Sequence, residues 1–177
     1  MSRRFVILCL FIVSSGFLTA AQMLYFMPYE QKDALSSLIK TIDSSQKNID
    51  ISIYSFTHRE IAKSLKNAAK KGVKIRIIYD YESNEDNPRS TIGYLSKYNG
   101  IQTCLLQGKR AKNDKYNGIM HQKIALIDGK ILFIGSANWS KNAFENNYEV
   151  LLRSDDKAMI LKAKSYFEKM FSVCKPY

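Results

Sequence analysis

Apolar positions along the chain repeat in two periods, and the changes between them mark its elements. Between Glu30 and Gln46 the apolar residues Ala34, Leu35, Leu38, Ile39 and Ile42 recur at helical spacing, as one face of a helix does. Ile49-Asp50-Ile51-Ser52-Ile53-Tyr54 then alternates strictly, the pattern of a strand. Thr57 and Glu60 stand at the spacing of a capping box, which opens a helix running to Lys71 and stopped by Gly72. Val73 to Tyr79 alternates apolar with polar or basic residues and is β-branched at most of its apolar positions, so it predicts a second strand. Asp80 to Pro88 is polar and acidic and reads as a solvated loop. A short helix around Thr91 to Tyr98 and a strand from Ile101 to Leu106 follow.

Gln107 to Gly118 reads as a basic loop. Beyond it, Ile119 to Ile127 and Ile131 to Gly135 are two apolar strands joined at Asp128-Gly129, a strong hairpin signal. Ser136 to Asn147 is a further loop, Tyr148 to Arg153 a strand, and Ser154 to Val173 a closing helix that starts near Asp155-Asp156. Helices and strands alternate early and a hairpin comes late. The expected fold is therefore α/β, a mixed β-sheet sandwiched by helices. The length of 177 residues suits one such domain with a proper core.

The first residues follow a different logic. Ser2-Arg3-Arg4 is a short positive start, Phe5 to Leu18 is almost wholly apolar, and Thr19-Ala20-Ala21 offers small residues of the cleavage kind. Residues 1–21 are expected to be a signal peptide or an N-terminal membrane anchor, although the apolar run is short of the roughly 20 residues of a spanning helix. The domain proper is then 22–177, and the chain is expected to be exported, periplasmic or membrane-associated. If the signal leaves, Cys9 goes with it and Cys104 and Cys174 remain; an even pair in an exported protein suggests a disulfide, with two buried thiols as the alternative.

Charge narrows the partner. Lys and Arg number 27 against 16 acidic residues, a net charge of +11, and residues 1–21 hold only two of those cations. The basicity belongs to the domain, and an excess of this size points to a polyanion: nucleic acid or an anionic membrane surface.

The chemistry concentrates in His121-Gln122-Lys123, Asp128 and Gly135-Ser136-Ala137-Asn138. On one strand His121 and Lys123, two apart, would share a face and set an imidazole beside a fixed cation. Ser136 and Asn138, leaving the end of the neighbouring hairpin strand, would bring hydroxyl and amide donors to the same mouth. Such a set suits a phosphate, because the donors and the charge stabilise the equatorial oxygens of a phosphoryl transition state. No pattern predicts a cofactor or a metal: the two histidines, His58 and His121, stand far apart without a paired carboxylate or cysteine set. His58 reads as a capping or surface residue, and Glu82, Glu85 and Asp86 as solvated. A nucleophile elbow and a P-loop are both missing.

The motif, with every spacing matched, resembles the HKD motif of the phospholipase D superfamily. Ile53-Tyr54-Ser55-Phe56-Thr57 is similar to the first strand's end in bacterial Nuc-type endonucleases, which also carry one HKD motif per chain. The resemblance extends from about Tyr29 to the C-terminus. It implies a phospholipase D-like fold and a metal-independent, two-step reaction without cofactor. His121 would form a phosphohistidine, and the same histidine of a second subunit would act as acid and base in a homodimer. Lys123 and Asn138 would hold phosphate oxygens, with Ser136 assisting. Glu149 would accept a hydrogen bond from the histidine's other nitrogen. Asp128 would be structural, turned away from the phosphate.

The same machinery serves nucleic acids and phospholipids, so the substrate has to be argued separately. Lys109, Arg110, Lys112 and Lys115 crowd the loop before His121, where they suit a phosphate backbone. Tyr116, Trp139 and Phe144 are expected near the mouth, placed to stack on bases. DNA, with RNA as a further candidate, is the expected substrate. The alternatives are a cardiolipin-type phospholipid hydrolase and a nucleic-acid capture or uptake module.

Overall fold

The computed structural model describes residues 21–177, so the expected export segment lies outside the described residues except for Ala21. One mixed sheet organises the chain. Its strands are β1 (Gln22–Met27), β2 (Asn48–Ile53), β3 (Lys74–Asp80), β4 (Ile101–Arg110), β5 (Asn117–Ile119), β6 (Lys123–Ile127), β7 (Ile131–Gly135), β8 (Glu149–Ser154) and β9 (Lys175–Pro176). They lie in the order β1-β8-β7-β6-β2-β3-β4-β5, with β9 added against β4. The β2–β3 and β3–β4 pairs are parallel and the β2–β6 pair is antiparallel.

The alternation seen in the sequence becomes two buried faces. Ile49, Ile51 and Ile53 of β2, with Ile75 and Ile77 of β3, Ala125 and Ile127 of β6 and Phe133 of β7, belong to one large core. That core also takes Leu38 and Ile42 from α1 (Gln31–Asp43) and Ile61 and Leu65 from α2 (Arg59–Lys70). The opposite face is covered by α6 (Lys157–Phe171), which packs Phe167 with Ile78 and Ile160 with Leu126 and Leu132. The mixed sheet between helices is thus the expected architecture. On the α6 side the buried carboxylate of Asp50 binds Arg76 at 2.7 Å, and Arg76 continues to Glu168 at 2.7 Å while lying over the Phe167 and Phe171 rings. Both hydrogen-bonding carboxylates hold the Arg76 guanidinium firmly protonated against its burial.

Several local expectations are corrected. β1 was not foreseen: it forms the sheet edge, paired antiparallel with β8 from Gln22↔Ser154 to Met27↔Glu149. Helix α2 starts from His58 with no side-chain cap, so Thr57 and Glu60 do not close a capping box. The acidic stretch includes a one-turn helix, α3 (Tyr81–Asn84), capped by Asp80, and α4 (Ile92–Leu95) is another single turn. A five-residue helix, α5 (Lys141–Glu145), interrupts the loop expected between Ser136 and Asn147. The basic segment is a hairpin of β4 and β5 rather than a loop. Gly108 permits it, since a Cβ there would meet the Gly118 backbone at 2.3 Å. Met120 to Gln122 lie between β5 and β6, outside any strand. The sulfurs of Cys104, on β4, and Cys174, after α6, lie at bonding distance, 2.06 Å. Among the described residues no helix is long and apolar enough to cross a membrane.

Candidate active site

The site residues gather where β2, β3 and β7 end and β6 and β8 begin. Lys123 opens β6 directly opposite Ile53, the last residue of β2. One residue on, the Tyr54 ring lies 4.5 Å from the His121 ring, and the Lys123 ammonium sits 5.0 Å above the same Tyr54 ring. Lys123 is only 6% exposed and donates to the His121 carbonyl at 2.9 Å. Burial lowers its pKa from the ordinary lysine value, and the nearby carboxylates of Glu149 and Asp80 oppose that shift. His121 itself is exposed. Tyr54 therefore supports both groups, a role the sequence did not announce.

Asp80 is the second residue that sequence reasoning missed as a site residue. It ends β3 with 1% exposure. One carboxylate oxygen accepts the Ser83 N–H at 3.0 Å and the other accepts the Met120 N–H at 2.9 Å. A buried charge thus pins the residue immediately before His121. Gln122 is held too, since its side chain accepts from the Ser52 hydroxyl at 2.9 Å and its carbonyl from the Tyr54 N–H at 2.9 Å. These anchors fix His121 although no strand does.

On the other side of the rim, the Ser136 hydroxyl donates to Glu149 and accepts from the Val150 N–H at 3.1 Å. The glycine before it is needed for that approach: a Cβ on Gly135 would stand 2.1 Å from the Val150 carbonyl oxygen. Asn138 enters no side-chain hydrogen bond among the described residues, and its Oδ1 is buried without a donor. Glu149 takes the Ser136 hydroxyl on one oxygen and the Asn147 amide, at 3.3 Å, on the other. The expected hydrogen bond between Glu149 and His121 is not made within the chain; the carboxylate is committed to Ser136 and Asn147 instead.

Asp128 lies at the opposite end of β6, as a structural residue would. It takes φ 55° in the hairpin turn, and its carboxylate accepts the N–H groups of Gln46, Lys47 and Asn48 at 2.8 to 3.0 Å. Burial pushes its pKa up, but the three donors and Lys130 outweigh that and hold it below the ordinary aspartate value.

The expected nucleic-acid contacts divide. Lys109, Arg110, Lys112, Lys115 and Tyr116 are all exposed on the β4–β5 hairpin, with Arg110 tied to Asp114 at 2.8 Å. Trp139 is not available for stacking: it is 2% exposed and packs edge-on against Phe56 at 5.0 Å. Phe144 is buried as well. Both are apolar enough to be drawn into the core beneath the rim. His58 is buried, with Nδ1 unpartnered, and burial lowers its pKa. Among the described residues no three His, Cys, Asp or Glu side chains form a group able to hold a metal ion.

A patch of exposed apolar surface adjoins Ser136 and Glu149. Tyr29 (78% exposed) and Tyr148 (80%) lie 6.1 Å apart, with Phe26 beside them around a shallow cavity of about 220 Å³.

Comparison with known proteins agrees on a PLD-like domain and returns both nucleases and cardiolipin enzymes. Residues 38–171 match the family model described as cardiolipin synthase, PLD-like domain. The structure of NucT from Helicobacter pylori superimposes with a TM-score of 0.88 and 58% identity, covering 90% of this chain and 100% of that one. A phospholipase D family member, Nuc from Salmonella typhimurium, shares the fold with a TM-score of 0.74 at 23% identity, over 90% and 99% of the two chains. The mitochondrial cardiolipin hydrolase of Xenopus laevis is 27% identical over 143 residues, 81% of this chain and 63% of that relative's length.

Proposed function

The chain belongs to the phospholipase D-like family, with one HKD motif of the Nuc type, and from that premise we propose that it is a metal-independent endonuclease whose active site is shared by two copies of the chain. The observation that carries this reading is the exposed His121 ring, braced by Tyr54, beside the buried ammonium of Lys123. The exposed hairpin cations Lys109, Lys112 and Lys115 support a nucleic acid as the polyanion. So does the 58% identity to NucT.

In the proposed reaction an imidazole nitrogen of His121 attacks phosphorus and the bond to the leaving oxygen breaks. The partner subunit's His121 gives that oxygen its proton. Water then attacks the phosphohistidine, yields its proton to the partner's imidazole, and frees His121. Lys123 offsets the charge on the phosphoryl oxygens, and the uncommitted amide of Asn138 donates to them. Ser136 assists in this proposal, its hydroxyl oriented by Glu149. The apolar patch of Phe26, Tyr29 and Tyr148 beside Ser136 supports a two-fold contact at the rim, as a shared site requires. A disulfide between Cys104 and Cys174, export to the periplasm of a bacterium, and cleavage or retention of residues 1–21 as an anchor belong to the same proposal.

A second reading, hydrolysis of a cardiolipin-type phospholipid, is favoured by the name of the family model and by the curated relatives. The test is incubation of the chain with labelled DNA, labelled RNA and cardiolipin vesicles, each in excess EDTA. Cleavage of nucleic acid with chelator present is the expected result. Cleavage of lipid alone would select the second reading, and rescue only by a divalent ion would overturn the mechanism.

A further inference from the structure

Helix α2 carries its cations in a row separate from those of the β4–β5 hairpin. Arg59, Lys63, Lys66 and Lys70 are spaced at four, three and four residues, so they share one face. The opposite face buries Ile61, Leu65 and Ala68 in the core. Beside the row runs a groove of about 600 Å³, lined by Thr57, Arg59, Lys63, Lys66, Arg89 and Tyr94 among others, with no acidic residue in its walls. Among the described residues none of these cations lies in an ion pair within 4.0 Å; the pairs found involve Arg76, Arg110, Lys141 and Lys175. Tyr94 is exposed at the groove and braced by Tyr98 at 5.3 Å.

One end of the groove is tied by backbone hydrogen bonds to the segment that carries Asn138. Thr57, in its wall, lies three residues beyond Tyr54, and the N–H groups of Thr57 and His58 both donate at 2.8 Å to the carbonyl of Trp139, the residue after Asn138. From Arg59 to Lys70 the row is about 16 Å long at 1.5 Å per residue, roughly five phosphates at the 3.4 Å spacing of one stacked strand.

We infer that this groove is the track for a single nucleic-acid strand entering or leaving the active site, with its phosphates along the α2 row and a base against Tyr94. A single line of unpaired cations with one braced aromatic is the arrangement that binds a strand without reading its sequence. The inference rests on the nuclease reading above and names a surface distinct from the β4–β5 hairpin.

The test uses the full chain with His121→Ala, to prevent cleavage, and the fluorescence anisotropy of a labelled single-stranded 20-mer over a salt series. One variant adds Arg59→Gln, Lys63→Gln, Lys66→Gln and Arg89→Gln. A control adds Lys157→Gln, Lys162→Gln, Lys164→Gln and Lys169→Gln on α6, which removes the same charge from the opposite face. Each phosphate contact on a single strand contributes about 0.7 to the slope of log K against log salt. The groove variant is expected to lose roughly 3 of that slope, and on the order of 100-fold or more in affinity at 0.1 M salt, while the control keeps both. Tyr94→Ala is expected to weaken binding on the order of 5- to 100-fold with the slope unchanged. Equal loss in groove variant and control would overturn the track, as would full affinity in Tyr94→Ala. So would groove substitutions that release cardiolipin vesicles in co-sedimentation but leave the oligonucleotide bound. Failure of the nuclease reading is separately visible, as absence of DNA cleavage by the unsubstituted chain.

Discussion

Replacing Asp80 by Asn tests how His121 is held without a strand beneath it. The substitution keeps the shape of the side chain and removes its charge. Asp80 is buried and accepts two backbone N–H groups, those of Ser83 and Met120. In the amide one acceptor becomes an NH₂ group, so one of the two N–H groups faces another donor. Hydrogen bonds to a charged group contribute about 1.5–3 kcal/mol each, and neutral ones about 1 kcal/mol. Losing one and weakening the other costs about 2–4 kcal/mol. For a chain of this size that lowers the melting temperature by roughly 5–15 °C. The functional loss is separate: a displacement on the order of 1 Å at the reacting group can cost about 100-fold. Asp80→Asn should therefore lower kcat on the order of 100-fold at 20 °C, where the protein is still folded, with KM little changed. Calorimetry and steady-state cleavage of an oligonucleotide read the two effects. The Lys123 pKa should fall as well, because Asp80 raises it. A destabilised enzyme with kcat within twofold of the parent and an unmoved Lys123 would refute the positioning role and leave Asp80 a structural residue.

Gly135→Ala should separate β7 from β8, since its Cβ would overlap the Val150 carbonyl; overpacking of this kind costs about 1–3 kcal/mol, and both melting temperature and kcat should fall. The Cys104→Ser/Cys174→Ser variant opens a link with a sequence separation of 70, worth about 4 kcal/mol by chain entropy; a melting temperature equal to that of the parent, or free thiols in the non-reduced parent, would dismiss the bridge. Carbon-13 NMR titration of lysine side chains should find Lys123 losing its proton below the ordinary lysine value, and Glu149→Gln should move it lower still by removing a carboxylate that favours the charged form; an upward move would contradict the electrostatics described.

Much of the site was legible in the sequence because its chemistry is local. His121, Lys123, Ser136 and Asn138 stand at motif spacings, and the Asp128-Gly129 turn that joins β6 to β7 is a short-range signal that the structure keeps. The alternation of β2 and β3 and the face of α1 were legible for the same reason. What escaped depends on contacts distant in sequence. Asp80 reads as the start of an acidic loop until Met120, 40 residues on, is seen to donate to it. The Tyr54 ring under His121 and Lys123 is likewise a product of the β2–β6 register. β1 escaped because its apolar residues continue the apolar N-terminal run, and only pairing with β8 gives them a strand's place. Trp139 and Phe144 were misplaced because nearness in sequence to Asn138 does not say which side of the backbone faces the core.

The central claim is that phosphorus is displaced twice, first by His121 and then by water. The stereochemical course at a chiral phosphorothioate reads this directly. A substrate of one configuration, cleaved in isotopically labelled water, gives a product whose configuration reports the number of in-line displacements. Retention is the expected result, because two inversions cancel. Inversion would mean a single attack by water, and would contradict the phosphohistidine even if His121 proved essential.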